Sequence, residues 1–473
     1  RMAFDNLADF IHALEDDGDV VRIADEVDCE LELASIVEGH SQQTASPAVF
    51  FERVKGHSVP VVANLFGTEK RLCRALEVSS FDELADRLLA LIQPDIPGSW
   101  LESLQLVPKF TSLLKLSPTI VKTAICQQVV KIGQDVDLGE LPFPRCWPKE
   151  ENHAITSAQI VAATFHADAS KATSIASQVP LQVLGRDRLA VHWTVRDQTL
   201  RLLEEYRAAR RQMPVAIVLG GDPLLAYAAS VPLPANTDAS AFASFVRQAA
   251  VELIPCRTID LHAPANAEIV IEGMIDPEAE WVEVPGLGLS TGFYGPPERV
   301  PTVQVTGVTQ RSNPLLPVTI TGLQKSEQLI CSRATERLTL PLVKLAVPGL
   351  VDIHCPDFGV FRNCVFASID KTYPGQARQV MNALWGISWF STMKQIIVVD
   401  ADVDVHDEQA VLFHSTANMH PGRDVVFSEG PTTMDDHAAP IRGMGHKMGI
   451  DGTRKRAEEG HPREWPDVLA TDS

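Results

Sequence analysis

The middle of the chain carries a run of strand patterns, and this feature constrains the fold more than any other. Strands are predicted where Val, Ile and Thr are concentrated, several with period-two alternation: 155–164, 189–194, 214–219, 268–272 and 302–309. Helical spacing interrupts this run around 199–211 and 240–253. A β-rich stretch of about 170 residues predicts a barrel or a mixed sheet rather than a Rossmann domain.

Helix and strand patterns alternate on either side of this stretch, up to about residue 92 and again after residue 324. The first helix is predicted behind the capping residue Asp5 by four apolar positions with helical spacing: Leu7, Phe10, Ile11 and Leu14. The apolar run 395–399 predicts a strand buried in a parallel sheet. About 40 residues at the end, rich in Gly, Pro, His and charge, predict an irregular tail docked on the surface or on a neighbouring subunit.

Charge and cysteine usage exclude several classes of partner. The chain has 41 Lys and Arg against 61 Asp and Glu, a net charge of −20, which repels nucleic acid and anionic membranes. No apolar run reaches the roughly 18 to 20 residues that span a bilayer, and no secretion signal is evident. The eight cysteines are scattered without metal-ligand spacing. We therefore expect reduced thiols in a cytoplasmic protein.

Three polar motifs could contact an anion or a metal. Gly220-Gly-Asp-Pro223 follows an apolar strand, so its backbone amides could face an anion, or Asp222 could simply cap a tight turn. His192, at the end of a strand, could bind a metal or a phosphate or be structural. Lys371, beside a Pro-Gly turn, could contact a phosphate or be a solvated loop lysine.

The spacing of the acidic residues in the segment 400–407 is similar to that of a calcium-binding loop. The segment lacks the glycine and the closing glutamate that such loops need, so a capped strand terminus is the better interpretation. No Ser/His/Asp or Cys/His triad can be assembled from the residues alone, because such triads are recognised by geometry.

Several segments, in order, resemble the UbiD family of decarboxylases, and the resemblance runs nearly end to end. It rests on short motifs spread along the whole chain: 61–67 (VVANLFG), 182–186 (QVLGR), 191–193 (VHW), 220–223 (GGDP), 291–297 (TGFYGPP), 371–375 (KTYPG) and 447–451 (KMGID). The resemblance implies an N-terminal α/β domain with a linker (1–120), a central split-β-barrel domain (121–325) and a C-terminal α/β oligomerisation domain with a docked tail (326–473).

The resemblance also implies a reversible carboxy-lyase that uses prenylated FMN, supplied by a partner prenyltransferase, on an aromatic or α,β-unsaturated carboxylic acid. A divalent metal, Mn or Mg, would link the cofactor phosphate to an asparagine, a histidine and a glutamate. An arginine and two glutamates would complete the site. The implied cofactor-binding residues are His192, Ser230, Pro232 and Lys371, and the implied assembly is a homodimer or a hexamer.

The family pattern fails at most of the positions that carry chemistry. In the register that the resemblance implies, Pro180 occupies the arginine position, while Val284 and Leu289 occupy those of the two glutamates. A one-residue shift would bring Glu283 to the first glutamate position, but no acidic residue lies near Leu289. Ile175 and Ala249 occupy two metal-ligand positions, so only His192 is retained. Two hypotheses follow: a lyase in which another group replaces the missing acid, or a degenerate homologue that serves as a partner subunit or binding protein. Replacing every member of a buried charge network by apolar groups can leave the stability of the fold unchanged, so a joint loss of these charged residues is physically possible.

Overall fold

The computed structural model describes residues 4, 6–92, 118–166, 172–194, 197–233, 237–322, 325–359, 363–467 and 469. Within these ranges the chain forms two compact units, one up to residue 83 together with 118–331, and one from 84–92 and the residues after 331. No helix in the described ranges is long and apolar enough to cross a membrane.

The first unit begins with a small α/β layer. Its helices are Leu7–Asp16, Glu32–Ser41, Glu69–Leu76 and the start of Phe81–Ile92. Its described strands lie in the order Val20–Val27, Ala48–Val54, Val61–Ala63 and Leu316–Val318. The four predicted apolar positions of the first helix are all buried. The cap is Asn6, whose side chain accepts a hydrogen bond from the Asp9 amide at 3.2 Å, and the predicted cap, Asp5, lies outside the described residues.

The rest of the first unit is built on a curled half-barrel sheet, which confirms the predicted fold class. In spatial order its described strands are Ala154–Ile155, Leu181–Gly185, Arg188–Val191, Thr302–Gln310, Ile269–Ile275, Met213–Leu219, Gln159–Ala163 and Ser174–Gln178, with Val129–Ile132 paired to Thr302–Gln310. The helices are Gln198–Ala208, Pro223–Ala228 and Ala239–Arg247. Smaller sheets contain Thr119–Ile120, Glu252–Pro255 and His262–Pro264, and a hairpin joins Val282–Val284 to Glu298–Val300.

The second unit is a five-stranded sheet within the described residues. Its order is Leu350–His354, Cys364–Ile369, Gln395–Asp400, Met444–Asp451 and Val425–Pro431. Its helices are the remainder of Phe81–Ile92, the part of Glu327–Ala346 after residue 331, Gln376–Gly386, Glu408–Asn418 and Pro421–Asp424. The predicted buried strand is confirmed, because Gln395–Asp400 pairs in parallel with a neighbour on each side.

The prediction of an irregular C-terminal tail is wrong for Met444–Asp451, which forms a strand inside this sheet. Its inward-facing residues are Gly445, Lys447, Gly449 and Asp451. Because none of them is a large apolar residue, the strand lacks the hydrophobic alternation by which a buried strand is predicted.

All eight cysteines lie in described parts of the chain and carry free thiols. Burial raises the pKa of the Cys73 thiol to about 11 and that of Cys126 to about 12. The thiolate is the form that binds metals and attacks substrates, so burial makes these two side chains inert.

Candidate active site

A histidine and a glutamate that are distant in sequence form the centre of the candidate site. Nδ1 of His192 lies 3.0 Å from Oε1 of Glu298. The His192 backbone amide donates to the Pro180 carbonyl at 3.1 Å, which positions the residue at the end of Arg188–Val191. A carboxylate accepts hydrogen bonds only, so this contact assigns the proton to Nδ1 and leaves a lone pair on Nε2.

The Nε2 atom of His192 is buried and has no hydrogen-bond partner within the described part of the chain. A buried polar atom of this kind costs free energy unless something satisfies it. An imidazole held by a carboxylate on one nitrogen, with the other available, is an arrangement suited to moving a proton or to binding a ligand.

Glu298 is not predicted by any of the sequence motifs. It lies directly across a hairpin from Val284, the residue at the first missing glutamate position, because Val282–Val284 pairs with Glu298–Val300. The signal that could have revealed it is the pair of short alternating segments on either side of the Gly-Phe-Tyr-Gly-Pro-Pro turn, which predicts such a hairpin. A carboxylate is therefore present in the hairpin, on the strand opposite the one where the family pattern places it.

Side chains from several elements hold the turn between Val284 and Leu289. Gln182 Nε2 donates to the Pro285 carbonyl at 2.7 Å, and the Gly288 amide donates to Glu150 Oε1 at 2.8 Å. Glu150 is itself buried, and its other oxygen accepts the amides of Cys146 and Trp147. Glu150 is thus a second carboxylate that the sequence analysis missed, and three backbone amides engage it as an anchor of the turn.

The turn leaves no room for a side chain at Gly286. A Cβ atom there would lie 1.8 Å from the backbone oxygen of Gly295, which cannot rotate away. We expect Gly286→Ala to lower the free energy of unfolding by about 1–3 kcal/mol, because the clash forces the backbone to shift. Thermal unfolding measures the effect. Gly185→Ala is the matched control, since a Cβ there meets nothing within 4 Å, and an equal loss in both variants would contradict the steric explanation.

The predicted metal positions do not assemble a metal site. Ile175 is buried in the strand Ser174–Gln178 opposite Ala162, and Ala249 follows a helix with its amide bonded to Ser244. Neither side chain carries a donor atom, so of the three implied ligands only His192 offers one. One imidazole is too few for Mn or Mg, which prefer several oxygen ligands. The residues present therefore do not fit the metal that the resemblance implies at this position.

The residues at the positions that the resemblance assigns to the arginine and the two glutamates likewise have no charged group. Pro180 contributes only its carbonyl, to His192. Val284 is 3% exposed and packs with Ala190 and Val300. The Leu289 amide donates to the Phe293 carbonyl at 2.9 Å, closing the turn. Pro180 and Val284 thus adjoin the His192–Glu298 pair as backbone and packing elements, and Leu289 closes the turn that follows.

A second group of polar atoms lies on the helix Gln198–Ala208 and just before it. Gln198 Nε2 donates to the Leu233 carbonyl at 3.4 Å, which links the helix Gln198–Ala208 to the segment that holds Ser230 and Pro232. Gln198 Oε1 and Trp193 Nε1 are buried without a partner in the described ranges, as is His192 Nε2. Ser230 donates to the Tyr227 carbonyl, and Pro232 is exposed. Unsatisfied buried donors and acceptors on two neighbouring elements suit a polar ligand.

Lys371 belongs to the second unit, and its described contacts do not support a role in phosphate binding. Its Nζ donates to Thr453 Oγ1 at 2.9 Å, to the Arg454 carbonyl at 2.8 Å and to Glu459 Oε2 at 2.6 Å. An ammonium group has three donors, and all three are engaged. The alternative of a solvated loop lysine is wrong, because the side chain is only 5% exposed.

The two motifs interpreted as capped turns are confirmed. Asp222 caps the helix Pro223–Ala228 by accepting the Leu224 amide at 2.9 Å, and it also pairs with Arg247. In the acidic segment 400–407, Asp407 caps the helix Glu408–Asn418, and Asp402 pairs with Arg454. Both motifs therefore use their carboxylates to end or begin elements of the fold.

Three family models match the chain in order. The N-terminal, Rift-related and C-terminal domains of 3-octaprenyl-4-hydroxybenzoate carboxy-lyase (UbiD) match residues 11–88, 119–324 and 330–452. An uncharacterized protein of Aquifex aeolicus is 38% identical over 465 residues, which are 98% of this chain and 95% of that protein.

Two solved enzymes are similar over nearly their full length. The UbiD-class enzyme HmfF from Pelotomaculum thermopropionicum, in complex with FMN, has a TM-score of 0.80 at 26% identity and covers 98% of this chain and 97% of its own. An evolved dimeric form of HmfF was solved with prenylated FMN. Vanillic acid decarboxylase of Sedimentibacter hydroxybenzoicus, in its closed form, has a TM-score of 0.85 at 25% identity, over 99% of this chain and 96% of its own.

Proposed function

This chain belongs to the UbiD family of decarboxylases, and from that membership we propose that it is a carboxy-lyase acting on an aromatic or α,β-unsaturated carboxylic acid. The observation that carries the proposal is the His192–Glu298 pair, whose buried Nε2 has no partner in the described part of the chain. Whole-length similarity to vanillic acid decarboxylase supports the substrate class.

The pair can perform the proton transfer that decarboxylation requires. Loss of carbon dioxide leaves an electron pair on carbon, so one proton must replace the carboxyl group: R–COO⁻ + H⁺ gives R–H + CO₂. For this step the Nε2 lone pair of His192 first takes up a proton from solvent, and the resulting imidazolium then donates that proton to carbon and returns to the neutral ring. The adjacent Glu298 carboxylate stabilises the imidazolium and keeps the ring oriented. The pair thereby takes the role of the acids that Val284 and Leu289 have replaced.

We propose prenylated FMN as the cofactor. When bound, it supplies an electrophilic centre that accepts the electron pair released with carbon dioxide. Support comes from the HmfF complexes and from the unsatisfied polar atoms of Trp193 and Gln198. No step is assigned to a metal beside His192, because Ile175 and Ala249 provide no ligands.

A degenerate, non-catalytic homologue is the second candidate. One specific observation favours it. Val284 is part of a packed apolar cluster, so its surroundings suit an apolar side chain and not the carboxylate that the family pattern places there. Such a protein would act as a partner subunit or a binding protein. The two candidates differ in whether a loaded protein releases carbon dioxide.

Co-expression with a flavin prenyltransferase, followed by assays on a panel of aromatic and unsaturated acids, tests the proposal. We expect stoichiometric flavin in the absorbance spectrum and release of carbon dioxide from at least one acid. Flavin binding without turnover would favour the degenerate homologue, and absence of flavin would contradict the proposed cofactor. Light scattering on the same sample tests the proposed homodimer or hexamer.

The combined variant Pro180→Arg, Val284→Glu, Leu289→Glu asks whether the family network can be restored. If the wild-type chain is inactive but loaded, activity in this variant would show a lyase that lost its network. If the variant folds and stays inactive, the result would contradict the hypothesis of a lyase that has lost only this network.

A further inference from the structure

A second group of histidines and carboxylates lies in the second unit, outside the candidate active site. Glu336 comes from the helix Glu327–Ala346, His354 ends the strand Leu350–His354, and His406 precedes the helix Glu408–Asn418. One potential ligand atom of each lies within 4.8 Å of the other two. From this arrangement we infer that Glu336, His354 and His406 bind a divalent transition metal, with Zn²⁺ the expected ion.

The spacing within the group suits an ion better than direct hydrogen bonds. Glu336 Oε1 lies 3.5 Å from His354 Nδ1, longer than a good hydrogen bond of about 2.7–3.2 Å. A tetrahedral ion with bonds of about 2.1 Å holds neighbouring ligand atoms about 3.4 Å apart. The two imidazole rings are 4.7 Å apart between centroids, and one ligand atom of His406 lies within 4.8 Å of those of the other two residues, so an ion between them requires these atoms to move closer together.

The main chain and further carboxylates position the ligands. The Cys355 amide donates to Oε2 of Glu336 at 2.6 Å, which orients the carboxylate and leaves Oε1 for the ion. Asp352 Oδ2 lies 3.3 Å from His406 Nε2, and Glu408 Oε1 lies 4.0 Å from His354 Nε2. A metal-binding histidine usually donates its second ring N–H to a carboxylate or carbonyl, and Asp352 is within that reach of His406. Glu408 is too far from His354 for a hydrogen bond and contributes only its negative charge.

The local charge is compatible with a cation. Arg337 lies 3.4 Å from His406 Nε2, but its guanidinium also binds Asp352 at 2.7 Å, which offsets its charge. Glu336 and Glu408 then balance a divalent ion. The His406 side chain is 42% exposed, which gives the ion a path from solvent and leaves space for water as a fourth ligand.

Metal binding to the untagged full-length chain, freed of metal by a chelator and without flavin, tests this inference. Calorimetric titration with Zn²⁺ is expected to show one ion per chain at this site, and the thermal midpoint should rise with Zn²⁺ concentration. Titration with Co²⁺ should give a spectrum of nitrogen and oxygen ligation. Bands of cobalt–thiolate ligation would contradict the inference, since no cysteine is among the proposed ligands.

Two variants localise the site. His406→Ala, at an exposed position, should weaken Zn²⁺ binding by about 100-fold or more, and Glu336→Gln, which keeps an oxygen for the Cys355 amide, should also weaken it strongly. His446→Ala, an exposed histidine outside the group, and His192→Ala, in the other unit, should bind Zn²⁺ like the wild type. Unchanged binding in His406→Ala and Glu336→Gln, or no binding by the wild type, would overturn the inference. Because no readout needs turnover, failure here is distinguishable from failure of the proposed lyase.

Discussion

His192→Ala is expected to lower kcat/KM for the decarboxylated acid by about 10²–10⁴, the usual contribution of a positioned proton donor. Among the six positions that the resemblance assigns to the arginine, the two glutamates and the three metal ligands, His192 alone has an ionisable side chain, and its Nε2 is buried without a partner in the described ranges. Glu150 cannot substitute, because three backbone amides engage it, and Glu298, whose carboxylate contacts Nδ1, is the residue whose remaining contribution sets the lower end of this range. Steady-state rates of carbon dioxide release by the flavin-loaded protein measure the effect.

Flavin content must be measured for each variant, so that loss of cofactor is separated from loss of proton transfer. Glu298→Gln keeps an oxygen that can accept the Nδ1 proton of His192, so we expect a smaller loss of rate than in His192→Ala. His446→Ala serves as the matched control with no expected loss. A loaded His192→Ala protein that turns over at the wild-type rate would rule out the assigned role.

Asp222→Ala is expected to lower the free energy of unfolding by about 3–5 kcal/mol, the cost of breaking a buried ion pair. Glu77 Oε2 lies 3.5 Å from Arg247 Nη1, but this single, longer contact does not replace the two that Asp222 makes. Arg247 Nε and Nη2 contact the Asp222 carboxylate at 3.1 and 2.5 Å, and the two side chains are 0% and 1% exposed, respectively. The substitution also removes the cap of the helix Pro223–Ala228. The loss should appear as a lower urea midpoint and a lower thermal midpoint of the first unit.

Two further variants separate the causes. Asp222→Asn retains an oxygen for the Leu224 amide, so it isolates the charge from the cap. Glu280→Ala removes one member of the exposed pair with Arg299 and should cost only about 0–1 kcal/mol, because water already screens that pair. If Asp222→Ala were no more destabilising than Glu280→Ala, the buried pair would have no special importance for stability.

Local patterns predicted much of the architecture. The β-rich middle of the chain, the helix around 199–211 and the buried strand at 395–399 form as predicted. The helix predicted around 240–253 forms only as Ala239–Arg247, because Glu252–Pro255 is a strand. In each segment the residues that face the core are apolar and recur with the period of the element, so burial and local sequence agree. Where buried positions are Gly, Lys and Asp, as in Met444–Asp451, that agreement fails and the strand was missed.

The candidate site was predicted only in part. His192 was identified at a strand end, but its partner Glu298 is 106 residues away and reaches it through the register of a hairpin. Lys371 was predicted to face a phosphate or solvent, and instead it is surrounded by acceptors from 453–459. Side-chain partners of this kind depend on which strands pair and in what register, which local patterns do not specify.

The sequence by itself determined the succession of α/β, β-rich and α/β segments, the likeness to UbiD decarboxylases, and the uncharged residue types at positions 180, 284 and 289. These are properties of residue types in order along the chain. The tertiary structure decided that Glu298 stands beside His192 and that Glu336, His354 and His406 converge from three segments. The physical reason is that a proton relay or a metal site needs atoms within a few ångströms, and only long-range packing sets those distances.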